Sequence, residues 1–89
     1  MRRVYWRLRY DRDVIAKLYQ LRERGFVVHR AIRELMYQQQ PWTGSLVIGE
    51  RAGWYEFEVH GFFVGFYAST DPEDVEPTLI ILYVHEILV

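Results

Sequence analysis

From Val4 to Tyr10 the chain alternates: Trp6, Leu8 and Tyr10 fall on one side, and Tyr5, Arg7 and Arg9 on the other. That period of two predicts a half-buried strand. Asp11 then offers a helix N-cap, because its carboxylate can accept a free backbone N–H. Val14, Leu18 and Leu21 follow at helical spacing, with Ile15 beside them. Arg22 and Arg24 fit the last turn, where the helix dipole favours cations, and Gly25 fits the left-handed position just past the end. A second apolar stripe, Val28, Ile32, Leu35 and Met36, predicts a second helix after Phe26 and Val27. So short a link implies an antiparallel helical hairpin. Pro41 cannot continue a helix, and the segment to Gly53 is loop-like, with room for a short strand at Leu46, Val47 and Ile48.

Beyond Trp54 the pattern is β. Tyr55, Phe57 and Val59 alternate with Glu56, Glu58 and His60; Gly61 allows a tight turn; Phe62 to Ala68 predicts the next strand. An acidic loop around Asp71, Pro72, Glu73 and Asp74 precedes a nearly continuous apolar run from Thr78 to Val89, the mark of a central strand. The expected fold is therefore α+β: an N-terminal strand, a two-helix antiparallel hairpin, then a three-stranded or larger antiparallel sheet with the helices on one face.

With 89 residues, of which 51% are hydrophobic, the chain has the size of a single domain and enough apolar side chains for one core. It contains no cysteine, which excludes disulfides, thiolate metal sites and cysteine nucleophiles. No apolar run approaches the ~20 residues that span a bilayer, so no membrane association is expected, and the default compartment is the cytoplasm.

Charge changes the picture more. Residues 1–51 hold all eleven basic side chains and five acids, a net +6, whereas residues 52–89 hold seven acids and no Lys or Arg, a net −7. Such asymmetry can mark nucleic-acid contact by the basic part, or two halves that neutralise each other in the fold. Arg7 and Arg9 share a strand face, with Arg2 and Arg3 ahead of them and Tyr5 interleaved in the series; they suit an RNA backbone, or equally Glu56 and Glu58 if the strands adjoin. Glu56 and Glu58 share a face with His60, which suits acid–base work, a divalent cation, or simply solvent.

Three stretches carry a resemblance: the opening strand and helix, Val4–Tyr10 into Asp13–Leu18; Arg51-Ala52-Gly53-Trp54-Tyr55-Glu56-Phe57-Glu58-Val59; and Gly61-Phe62-Phe63-Val64-Gly65-Phe66-Tyr67. Their order and spacing resemble the RelE/ParE superfamily of type II toxin–antitoxin toxins. The resemblance implies a toxin, neutralised by a cognate antitoxin that wraps a helix or extended segment around it. One expectation is RelE-like cleavage of mRNA on the ribosome. The resemblance then casts Arg51 as phosphate clamp, His85 as acid–base residue, and Arg7 and Arg9 as RNA contacts, with no metal or cofactor. The alternative is a ParE-like or degenerate toxin that docks on a protein such as gyrase. Two departures bear on the choice. The strand arginine of the ribonuclease pattern falls on Phe63, and the basic residue after the last strand falls on or near Glu86.

Overall fold

Strand β1 (Arg7–Tyr10) leads into helices α1 (Arg12–Leu21) and α2 (Glu23–Glu34), the latter tightening into a 3₁₀ turn at Leu35–Tyr37. Four strands follow: β2 (Leu46–Val47), β3 (Trp54–Val59), β4 (Phe62–Ser69) and β5 (Thr78–Glu86). These elements come from a computed structural model, which describes residues 5–49, 52–69 and 76–88. The acidic loop at Asp71–Asp74 and the residues before Tyr5 lie outside the described residues.

The strands form one sheet in the order β1-β5-β4-β3-β2. β2 to β5 pair antiparallel, as expected from their short connections. β1 departs from that expectation: it joins the same sheet at its far edge and lies parallel to β5, with Leu8 opposite Leu79 and Tyr10 opposite Ile81. The sheet is thus mixed and five-stranded. The helical hairpin spans the connection between β1 and the rest, and this crossover is what a parallel neighbour requires.

One face of the sheet is buried under the helices. Its core joins Trp6, Val14, Val28, Ile32 and Leu35 to Phe62, Val64, Phe66, Ala68, Leu79, Ile81 and Val84. Phe66, Leu79 and Ile81 are fully buried, and each such side chain contributes ~1.5–3 kcal/mol through removal from water. Trp6 Nε1 donates to the carbonyl of Gln38 at 3.0 Å, so the indole is satisfied as well as buried. Trp42 packs edge-on against Trp6 and stacks on Tyr55, which ties the loop after α2 to the core.

The hairpin bend differs from its expected form. The chain turns at Arg22, with φ 54° and ψ −120°, and Arg24 and Gly25 lie inside α2. Gly25 serves helix packing: a Cβ there would sit 2.1 Å from the Leu18 carbonyl oxygen. Only a glycine lets the two helices meet so closely, so the bend falls to the residue before α2. Asp11 caps α1 as expected, accepting from the backbone of Asp13 at 3.3 Å. His60 and Gly61 form the two-residue β3–β4 turn, both with positive φ, in keeping with the type I′ geometry that matches strand twist.

β5 carries the irregularity that decides which side chains reach the open face. Gly65 pairs with Tyr83, yet the next residue, Phe66, pairs with Ile81, leaving Leu82 without an opposite number. This bulge resets the alternation. Leu79 and Ile81 point into the core before it and Val84 after it, while Tyr83 and His85 are turned to the helix-free face.

Candidate functional site

Two surfaces gather the residues with chemical potential: the helix-free face of the sheet and a groove between the helices.

On the sheet face, β3, β4 and β5 place side chains in rows. Trp54, Tyr67 and Ile80 form one; Glu56, Gly65 and Tyr83 the next; Glu58, Phe63 and His85 the last. The Tyr83 ring lies across Gly65, where a Cβ would come within 2.1 Å of it, and its hydroxyl donates to Glu56 Oε2. Burial, then the Glu56 hydrogen bond and charge, push the Tyr83 phenol up to about 12, so it is a proton donor at neutral pH. His85 stacks on Tyr83 with ring centroids 4.5 Å apart and is exposed. Trp54 packs against Tyr67 at 5.5 Å.

The residues expected to act together are spread along this face. Arg7 and Arg9 are exposed on it, opposite Thr78 and Ile80 of β5. His85 lies five residues beyond Ile80, about 16 Å along the strand at ~3.3 Å per residue. The expected pairing of Arg7 and Arg9 with Glu56 and Glu58 does not form, because β4 and β5 stand between β1 and β3. Arg7 instead meets Glu76 at 3.4 Å. His60, in the turn, leaves the strand face that carries Glu56 and Glu58, and no three acidic or histidine side chains among the described residues are grouped to hold a metal ion. Arg51 lies outside the described residues.

Cleavage by 2′-OH attack needs a base, an acid and a cation at the crowded phosphate. The sheet rows nearest His85 offer Glu56, Glu58, Phe63 and Tyr83, none of them cationic. Glu86 follows His85 but faces the helix side, where Arg24 of α2 pairs with it and lies over the Phe62 ring at 4.9 Å. Among the described residues, a phosphate beside His85 would therefore meet carboxylates rather than a clamp.

The second surface lies on the helical hairpin. A groove of about 360 Å³ runs between α1 and α2, lined by Tyr10, Ile15, Leu18, Tyr19, Phe26 and His29, with Arg22 at the bend. Tyr19 is 81% exposed and Phe26 74%. Within the lining, the Tyr10 hydroxyl and His29 Nε2 are hydrogen-bonded at 2.9 Å. Burial raises the Tyr10 phenol above its ordinary range, and the charge of Arg33 offsets part of that rise. The groove was foreshadowed by Ile15 and Tyr19, one turn apart and off the core stripe of Val14, Leu18 and Leu21, a second apolar strip with no use in the core.

Comparison with protein-family models finds none that matches the chain, and comparison with curated proteins finds no match.

Proposed function

We propose that the protein is the toxin of a type II toxin–antitoxin pair of the RelE/ParE kind, working in the cytoplasm by docking on another protein. The element order supports this reading: a strand, a helical hairpin and antiparallel strands with the helices on one face, which is the arrangement the resemblance implies. The observation that carries it is the open groove of the hairpin, where Tyr19 and Phe26 stand exposed beside Ile15. An apolar surface of this kind suits the apolar stripe of a partner helix, as an antitoxin would supply. The carboxylates around Tyr83 and His85 favour a protein target, such as gyrase, over a phosphate backbone.

A second reading, mRNA cleavage on the ribosome, draws on the exposure of His85 and on its sharing a face with Arg7 and Arg9. In that reading His85 is the acid–base residue, Arg51 the phosphate clamp, and Arg7 and Arg9 RNA contacts. One experiment separates the two. Induced expression should arrest growth, while purified protein added to translating ribosomes should leave mRNA intact. Cleavage in the ribosomal A site, lost in Arg51→Ala and His85→Ala variants, would replace the docking reading with the nuclease one. Normal growth under strong expression of folded protein would remove both.

A further inference from the structure

The helix-free sheet face is aromatic along its middle and anionic along one side. Phe63, Tyr67 and Tyr83 occupy β4 and β5, and Glu56 and Glu58 flank them on β3. Glu56 is engaged by Tyr83. Glu58 is exposed and has no hydrogen-bond or ion-pair partner among the described residues. It sits directly opposite Phe63, at the ~5 Å that separates Cβ atoms of paired residues. The whole stretch from Ala52 to the end of the chain has no Lys or Arg to neutralise it. Among the described residues, the cations of this face are Arg7 and Arg9, three strands from Glu58, about 14 Å at ~4.8 Å per strand, and Arg7 is held by Glu76.

We infer that this face binds an extended, arginine-bearing segment of a partner protein, with one guanidinium lying on Phe63 and pairing with Glu58. A guanidinium is the group that satisfies both features at once: its plane stacks on an aromatic ring while its edge donates to a carboxylate. An extended segment fits because the rows of the sheet face repeat every two residues, ~7 Å, which is the spacing of alternate side chains along a strand-like peptide. Charge decides against nucleic acid, since a phosphate backbone on these rows would face Glu56 and Glu58. Which protein carries the segment, antitoxin or target, rests on the docking function proposed above; the binding itself does not.

The test is fluorescence anisotropy with a short labelled peptide in which Arg alternates with Thr, beside the same peptide with citrulline in place of Arg. Citrulline keeps the shape and removes the charge. The Arg peptide should bind about tenfold more tightly than the citrulline peptide, the combined effect of a cation–π contact and a charge-assisted hydrogen bond. Glu58→Gln should remove that advantage, while Glu34→Gln, the same charge change at an exposed position of α2, should leave it intact. No binding, equal binding of the two peptides, or equal losses in both variants would overturn the inference. So would a uridine oligonucleotide that binds the face more tightly than the Arg peptide. Peptide binding without growth arrest on expression would remove the toxin reading and leave this surface standing.

Discussion

Tyr83 shows how much one side chain can organise. Its ring needs the bare backbone of Gly65 beneath it, its hydroxyl needs Glu56 across the sheet, and His85 rests on it. Because its phenol is raised to about 12 in the folded protein, against about 10 for an unfolded chain, the linkage has a definite sign. Below pH 10 both states hold the proton and the stabilisation is complete. Between pH 10 and 12 the unfolded chain releases its proton first, and stability falls. Tyr83→Phe should flatten that part of the stability profile and remove the highest tyrosinate step from an ultraviolet titration. If the highest step survives the substitution, another tyrosine owns it. At neutral pH the same variant should lose about 1 kcal/mol, the ordinary net worth of one hydrogen bond. The contacts of Tyr83 with Gly65 and Glu56 are not legible in the sequence. Tyr83 sits in an apolar run whose parity cannot be read, because the extra residue at Leu82 changes which positions face out. Arg7 and Arg9 lie in a cleanly alternating strand, and that alternation alone puts them on one side, away from Leu8 and Tyr10.

At the level of elements, the hairpin is held together by a missing side chain. Gly25→Ala would drive a methyl group into the Leu18 carbonyl at 2.1 Å, and the helices would have to separate. Overpacking of this kind costs roughly 3 kcal/mol, or about 12–24 °C in melting temperature for a domain of this size. Thermal unfolding followed by circular dichroism measures it, and an unchanged midpoint would mean the helices have slack. The two helices, their core stripes and the Asp11 cap were readable because each rests on local periodicity or a local hydrogen bond. The bend was misplaced for a physical reason. A glycine near a helix end satisfies the pattern of a left-handed cap, but this one is consumed by close packing, and Arg22 takes the strained backbone instead. The strands β3 and β4 and their turn were likewise local and legible. The parallel partnership of β1 with β5 was not, since it joins residues about seventy positions apart and leaves no mark in either segment.

For the whole molecule, that distant pairing makes β5 the centre of gravity. It is flanked by β1 and β4, covered by α1, and contributes Leu79, Ile81 and Val84 to the core. Its amides should be the slowest to exchange with solvent, opening only with global unfolding, whereas β2, two residues long at the opposite edge, should exchange through local fraying. Hydrogen exchange resolved by residue would show this as a gradient across the sheet. Uniform protection from β2 to β5 would contradict it.

The parallel edge also has a mechanical meaning. A force applied to the two ends of the chain would draw β1 and β5 past each other along their length. Parallel neighbours resist such a pull in shear, with the bonds of all four paired positions loaded together, whereas a hairpin pulled from its open end peels one bond at a time. A protein-unfolding machine that grips either end would meet its stiffest resistance at the outset, and the protein's lifetime under such traction would follow the rate at which this one clamp slips.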